Sequence, residues 1–217
     1  MTINAHLRHE LALLAKGYTI VAGLDEAGRG AWAGPVFAGA VILPLDRADL
    51  IQVLDGVRDS KLVSPGRREK LFPRIVEIAT AAGVGSASNA EIDRYGIVPA
   101  TRLAMRRALE SLPIQPDVLL TDAIRLPEVK LPAVPLIRGD QVSLSIAAAS
   151  ILAKVSRDHV MIELDQQYPE YGFAAHKGYG TARHHEALRT YGPVDIHRHT
   201  FAPVRILLGG RYQERGT

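Results

Sequence analysis

The chain has 217 residues, 47% of them hydrophobic, which is enough apolar material for one compact domain. Its mean hydropathy is +0.04, and charged residues interrupt every apolar stretch before it reaches the roughly 18 residues that a membrane span needs. The absence of cysteine excludes disulfides, thiolate-bound zinc and a thiol nucleophile, while the net charge of +3 permits a polyanionic partner without requiring one.

The first third of the chain predicts two strands and a helix. Residues 18–24 and 35–43 are β-branched or apolar, which predicts a strand on each side of a glycine-rich loop. Ser64, as an N-cap followed by proline, predicts a helix over residues 66–82 that ends at Gly83.

The rest of the chain alternates strands with helices. Residues 84–88 predict a short strand, and leucine and alanine at helical spacing predict a helix over 99–112. The apolar runs 118–121 and 133–137 predict buried strands, and the alanine-rich stretch 143–167 predicts a long, closely packed helix. This order is typical of an α/β fold in which helices cover a mixed sheet.

Carboxylates follow three of the predicted strands. Asp25 and Glu26 end the first strand, while Asp122 and Asp140 follow the last two apolar runs. In α/β folds the functional residues lie at the carboxyl ends of the central parallel strands, so we expect these side chains to converge. By itself, Asp25-Glu26 is more typical of a solvated turn than of a metal site. Convergent carboxylates, however, suit Mg²⁺ or Mn²⁺, and two such ions about 4 Å apart hydrolyse phosphodiesters.

Several segments, in order from about residue 18 to 204, resemble the ribonuclease HII family. They are Gly23–Gly30 with Ala33–Val36, Asp59–Leu62, Ala147–Asp158 and His176–Thr181. The resemblance implies a ribonuclease H-like fold with a central mixed five-stranded sheet flanked by helices and a small C-terminal helical region. We expect one catalytic domain over 1–217, with a substrate-binding extension at about 168–204 and a mobile tail at 209–217.

The resemblance also implies an activity. Enzymes of this family hydrolyse the RNA strand of RNA/DNA hybrids and cut 5′ of single ribonucleotides in duplex DNA, as in ribonucleotide excision repair. The reaction uses two divalent ions, Mg²⁺ or Mn²⁺, and leaves 3′-hydroxyl and 5′-phosphate ends. The implied catalytic and metal-binding residues are Asp25, Glu26, Asp122 and Asp140. Without a signal-peptide pattern at the N-terminus, we expect a cytoplasmic monomer with no membrane contact.

Substrate contacts are implied at two loops and two lysines. The implied residues are Gly28, Arg29, Gly30, Lys61, Lys177 and Tyr179. The Gly-Arg-Gly loop would read the ribose 2′-hydroxyl, the tyrosine would pack on the sugar at the RNA–DNA junction, and the lysines would contact phosphates. Each has an ordinary alternative: a glycine turn, a packing tyrosine or a solvated lysine.

The chain departs from the family pattern at three positions. Ala31 replaces a proline, Ala123 replaces a glycine after the third carboxylate, and Arg138 replaces a lysine. No carboxylate is lost, but the local loop geometry could differ. Asp158 lies in a family segment, and we interpret it as a structural partner rather than a metal ligand.

Other functions remain as alternatives. A ribonuclease H-like DNA nuclease or resolvase would share the carboxylates but would need no 2′-hydroxyl test. A non-catalytic hybrid-binding module would not need the carboxylates. A zinc site is disfavoured, because the histidines have no helical His-x-x-x-His spacing and no cysteine accompanies them. Those histidines are His184, His185, His197 and His199.

Overall fold

A computed structural model describes residues 5–214 and contains one central sheet. Its strands are β1 (Val21–Ala27), β2 (Val36–Ile42), β3 (Ala81–Ala87), β4 (Val118–Asp122) and β5 (Ala133–Leu136). The five strands lie in the order β3-β2-β1-β4-β5, with β1, β2 and β3 antiparallel and with β4 and β5 parallel to β1. The sheet is therefore mixed and five-stranded, as expected.

Helices surround this sheet. In the described residues they are α1 (Arg8–Leu14), α2 (Leu50–Val53), α3 (Pro65–Ile78), α4 (Asn89–Tyr95), α5 (Ile97–Glu110), α6 (Gly139–Val142), α7 (Leu144–Gln167), α8 (Phe173–His176), α9 (Ala182–Tyr191) and α10 (Ala202–Glu214), with a 3₁₀ turn at Ser60–Leu62. Helix α7 begins where the Ser143 side chain accepts a hydrogen bond from the Ile146 N–H. None of the described helices is long and apolar enough to cross a membrane.

The two long helices α5 and α7 cover opposite faces of the sheet. Along β2, Ala38 and Ala40 pack into the cluster that contains α5, while Val41 packs into the cluster that contains α7. Neighbouring residues of a strand point to opposite faces, so the alternation separates the two cores. The alanines at the start of α7 are fully buried and allow the helix to approach β1 and β2 closely.

Two predicted elements were wrong in detail. Helix α3 ends at Ile78, and Gly83 lies inside β3 instead of ending the helix. A Cβ on Gly83 would lie 2.5 Å from the Ala108 carbonyl oxygen, so glycine is required there for close packing of α5. Strand β5 is an exposed edge strand rather than a buried one, and Pro135 within it is tolerated because an edge N–H needs no partner.

A smaller apolar cluster joins the C-terminal region to α7. Met161 packs with Tyr171, Phe173, Leu188 and Val204. The predicted extension at 168–204 thus contains α8, α9 and their connecting loops. Helix α10 continues to Glu214, into the segment 209–217 for which we expected a tail, and residues 215–217 lie outside the described residues.

Candidate active site

The strand register brings three of the carboxylates together. Strands β1 and β4 are parallel, with Leu24 opposite Thr121, so Asp25 and Asp122 follow side by side. Asp140 lies in the short helix α6 rather than at the end of β5. Carboxylate oxygens of Asp25, Asp122 and Asp140 all lie within 4.8 Å of one another.

The cluster is electrostatically strained in the absence of a cation. The pKa of Asp25 is raised well above its usual value. Burial is the largest cause, and the negative charges of Glu26 and Asp122 add to it. The pKa of Asp140 is raised to about 6, mainly by burial and in addition by the negative charges of Asp59 and Asp122. A bound cation would relieve this repulsion, so the arrangement suits a hard divalent ion with oxygen ligands.

Glu26 lies next to this cluster but is turned toward a different partner. Its Oε1 accepts a hydrogen bond from Arg29 Nη1 at 3.2 Å. Its Oε2 is buried and has no hydrogen-bond partner among the described residues. Burial raises the pKa of Glu26, although Arg29 opposes that shift. A buried carboxylate oxygen without a donor fits a metal ligand, so the residues present are compatible with Mg²⁺ or Mn²⁺.

Two of the departures from the family pattern, Ala123 and Arg138, lie in the segment between β4 and α6. Ala123 and Arg138 both have φ of 54°, in the left-handed region that glycine adopts most easily. Ala123 N–H donates to Leu136 O at 2.9 Å, and Gly139 N–H donates to Asp122 Oδ1 at 2.7 Å. These bonds hold the Asp122 carboxylate in place even though alanine occupies the glycine position.

A cleft of about 190 Å³ adjoins the carboxylates. It is lined by Glu26, Ala27, Gly28, Arg29, Gly30, Ser60, Lys61, Lys154 and Tyr179. Burial opposes the charged form of Lys61, but the carboxylates of Asp59, Asp25 and Asp140 together raise its pKa above the usual value. Most of the expected substrate-contact residues therefore share one cleft with a carboxylate of the site.

Lys177 is the exception among the expected contacts. It does not line this cleft, and its ammonium group donates to the carbonyl oxygen of Ala174 in the preceding turn. Its backbone has φ of 52°, so the chain turns sharply at this residue. A phosphate contact by Lys177 would require its side chain to leave that carbonyl.

Ser60 and Lys154 line the cleft but were not predicted as site residues. Lys154 Nζ donates to Asp158 Oδ1 at 2.6 Å, and Asp158 Oδ2 also lies 3.5 Å from Arg68 Nη2. Asp158 thus pairs with two cations, which agrees with the structural role expected for it. Both missed residues lie inside segments that carry the family resemblance, and that position was the only signal available for them.

Two of the four candidate histidines, His184 and His197, form a buried hydrogen-bonded pair, while His185 and His199 are exposed. His184 Nδ1 donates to the carbonyl oxygen of Tyr179 at 3.0 Å, so Nε2 of the neutral ring accepts from His197 Nε2 at 3.1 Å. His197 Nδ1 then accepts from Val194 N–H at 3.0 Å. Burial lowers the pKa of each of these two histidines to about 4. Their ring nitrogens are used within the protein, which argues against the zinc alternative.

Comparisons with known proteins agree with this geometry. A family model described as ribonuclease HII matches residues 22–204. The ribonuclease HII of Roseiflexus castenholzii is 56% identical over 91% of this chain and 88% of that protein, and that of Chloroflexus aggregans is 54% identical over 95% and 97%. Among solved structures, the ribonuclease H2 from Pyrococcus horikoshii superposes with a TM-score of 0.75 at 29% identity, covering 92% of this chain and all of that one.

Proposed function

The chain belongs to the ribonuclease HII family and is a metal-dependent endoribonuclease, and on that premise we propose its substrates and reaction. The enzyme hydrolyses the RNA strand of RNA/DNA hybrids. It also cuts on the 5′ side of a single ribonucleotide embedded in duplex DNA, and it leaves 3′-hydroxyl and 5′-phosphate ends. It acts as a cytoplasmic monomer with two Mg²⁺ or Mn²⁺ ions per site.

The observation that carries this proposal is the position of the cleft. The Gly-Arg-Gly loop and Tyr179 line the same cleft as Glu26, and Glu26 adjoins the cluster of Asp25, Asp122 and Asp140. When bound, two divalent ions supply a polarised water and neutralise the charge that develops on the leaving oxygen. The loop and the tyrosine that we propose as sugar contacts therefore lie beside the carboxylates that would hold the metals.

The backbone of the loop is suited to reading a ribose. The N–H groups of Arg29 and Gly30 donate no hydrogen bond within the described residues, so they are available to a ligand. A Cβ built on Gly30 would have no heavy atom within 4 Å, which leaves room for a sugar. The 2′-hydroxyl oxygen can accept from such an N–H, whereas deoxyribose has no acceptor at that position.

Tyr179 is placed to contact the neighbouring sugar. Its ring lies beside two cationic groups, with Lys154 Nζ at 5.6 Å and Arg157 Cζ at 5.3 Å from the ring centroid. The side chain is half-buried, so one part of the ring is held by protein while the rest faces the cleft. Neither the loop nor the tyrosine would be needed by a DNA resolvase, and intact carboxylates would not be needed by a binding module.

The test compares three duplexes: one with a single embedded ribonucleotide, one uniform RNA/DNA hybrid and one of DNA alone. We expect cleavage of the first two, with mapped 3′-hydroxyl and 5′-phosphate ends, and none of the third. Comparable cleavage of the all-DNA duplex would favour the resolvase alternative. No cleavage of any duplex with Mg²⁺ or Mn²⁺ would favour the binding module.

The tyrosine is tested by two substitutions. Tyr179→Ala should lower kcat/KM on the single-ribonucleotide duplex by about 5- to 150-fold, since a lost stacking contact costs about 1–3 kcal/mol. Tyr179→Phe keeps the ring and should retain most of the activity. If Tyr179→Ala lowers activity equally on the single-ribonucleotide duplex and the uniform hybrid, or on neither, Tyr179 is only a packing residue.

A further inference from the structure

Two loops of the cleft are bridged by one buried side chain, in addition to a direct hydrogen bond from Trp32 N–H to Gly178 O at 2.8 Å. We name residues Gly28–Pro35 the ribose loop and residues His176–Thr181 the tyrosine loop. Arg157, on helix α7, has no exposed surface. Its Nε donates to Pro35 O at 2.9 Å and its Nη2 to Ala33 O at 3.2 Å, while its Nη1 donates to Lys177 O at 2.9 Å. One guanidinium thus binds the backbones of both loops.

Arg157 has no carboxylate partner within the described residues. The neighbouring Asp158 pairs with Arg68 and Lys154 instead. Burial of Arg157 lowers its pKa, which reflects the cost of removing its charge from water. Since no ion pair offsets this cost, the guanidinium is best explained by its geometry, because its planar fork donates to several carbonyls in fixed directions.

Both loops are shaped around this guanidinium. A Cβ built on Gly28, which has φ of +94°, would lie 1.9 Å from Arg157 Nε. The tyrosine loop turns at Lys177, a non-glycine residue in the left-handed region, and the carbonyl of that residue accepts from Arg157. The guanidinium also lies 5.3 Å from the Tyr179 ring centroid. The most crowded backbone position of the ribose loop and a left-handed turn of the tyrosine loop therefore meet at the same side chain.

We propose that Arg157 is a positioning residue that fixes the ribose loop and the tyrosine loop at one separation. The ribose 2′-hydroxyl and the following deoxyribose are then read together as one RNA–DNA junction. This inference rests on the proposed function of the two loops. It adds that the junction is recognised by a rigid pair of loops rather than by two independent contacts.

The decisive variant is Arg157→Lys, which keeps a positive charge but loses the fork that reaches both loops. A misplacement of about 1 Å can cost about 100-fold in rate, so we expect kcat on the single-ribonucleotide duplex to fall about 10- to 100-fold. The uniform hybrid should lose less, since any of its ribonucleotides can be cut without a junction. Mn²⁺ affinity, measured by calorimetry, should stay unchanged because the carboxylates are not contacted by Arg157.

A matched control is Arg107→Lys. Arg107 also donates to a backbone carbonyl, Ser86 O at 2.8 Å, and to Glu91, but it contacts neither loop. It should leave both activities near wild type. If Arg157→Lys unfolds below the assay temperature, Arg157→Gln takes its place, because it removes the buried charge and still has an amide donor. An equal loss for Arg107→Lys would overturn the proposal.

A double-mutant cycle separates positioning from a general structural effect. If Arg157 acts through the placement of Tyr179, the combined loss in Arg157→Lys/Tyr179→Ala will be smaller than the product of the single losses. Losses that multiply, or that are equal on the two substrates, would overturn the proposal. Failure of the proposed function is recognised separately, because the wild-type enzyme would then fail to distinguish a single-ribonucleotide duplex from DNA alone.

Discussion

Replacing Gly28 with alanine would add a methyl group at the most crowded backbone position of the ribose loop. Gly28 has φ of +94°, and its new Cβ would lie 1.9 Å from Nε and 2.4 Å from Cδ of Arg157. Real Cβ atoms do not approach other atoms so closely, so the guanidinium must move. Its three hydrogen bonds to Pro35, Ala33 and Lys177 carbonyls cannot all survive that movement.

The expected cost has two parts. Alanine at a left-handed φ costs about 1–2 kcal/mol. Losing at least one hydrogen bond from a buried charged group costs about 1.5–3 kcal/mol. We therefore expect Gly28→Ala to lower the free energy of unfolding by about 2.5–5 kcal/mol. For a chain of 217 residues this corresponds to a fall in Tm of roughly 5–20 °C.

Substitutions at two other glycines separate the backbone cost from the cost of the lost hydrogen bond. Gly17 has φ of +93° with no heavy atom within 4 Å of a built Cβ, so Gly17→Ala measures the backbone cost alone. Gly30 has neither a positive φ nor a close neighbour, so Gly30→Ala should be neutral or slightly stabilising. Stability is measured by urea and thermal unfolding rather than by activity. If Gly28→Ala costs no more than Gly17→Ala, the contact with Arg157 does not constrain the loop.

The remaining predictions concern charge and backbone strain. Asp25→Asn should abolish cleavage and weaken Mn²⁺ binding, yet it should raise the free energy of unfolding without metal because it removes a buried charge repelled by its neighbours. Near-wild-type cleavage would contradict the mechanism. Ala123→Gly should stabilise the protein by up to about 1 kcal/mol in urea unfolding, since φ there is 54°; a loss of stability would contradict the strain. The folded pKa of about 4 for His184 and His197 lies below the unfolded value of 6.5, so unfolded chains take up protons first. The contribution of these histidines should thus be complete above pH 6.5 and fall by about 3 kcal/mol for each of them toward pH 4, opposite in sign to the contribution of the carboxylates whose pKa values are raised. NMR titration of either histidine above pH 6 would refute this.

Local sequence patterns were sufficient to predict the central sheet and the meeting of Asp25 and Asp122 at its edge. Strands β1 and β4 are short apolar runs that end at acidic residues, and such runs are recognisable without long-range information. Because both strands are parallel neighbours, Asp25 and Asp122 had to meet at the same edge. The long helix α7 was predicted for a similar reason, since its alanines favour a helix and also allow close packing.

Long-range contacts could not be predicted in the same way. Gly83 is typical of a helix end in the sequence, and only the approach of α5 explains its place in a strand. The partners of Arg157 lie as far as 124 residues away along the chain, at Ala33. Backbone carbonyls leave no trace in residue identity, so a buried arginine that binds them cannot be distinguished from an ordinary surface arginine in the sequence. The environment of His184 and His197 likewise depends on contacts with backbone groups, at Tyr179 and Val194.

A second buried arginine binds the backbone of the ribose loop. Arg198 donates to Gly28 O at 2.7 Å and to Arg29 O at 2.8 Å, and it also binds the carbonyls of Gly34 and Pro35. With these carbonyls bound by Arg198, the N–H groups of Arg29 and Gly30 remain without a partner within the described residues. Such a donor suits a ligand with an oxygen acceptor, which a ribose provides at its 2′ position and a deoxyribose does not. On the proposed function, the C-terminal region that supplies Arg198 would support sugar selectivity by holding the backbone of the loop that contacts the ribose.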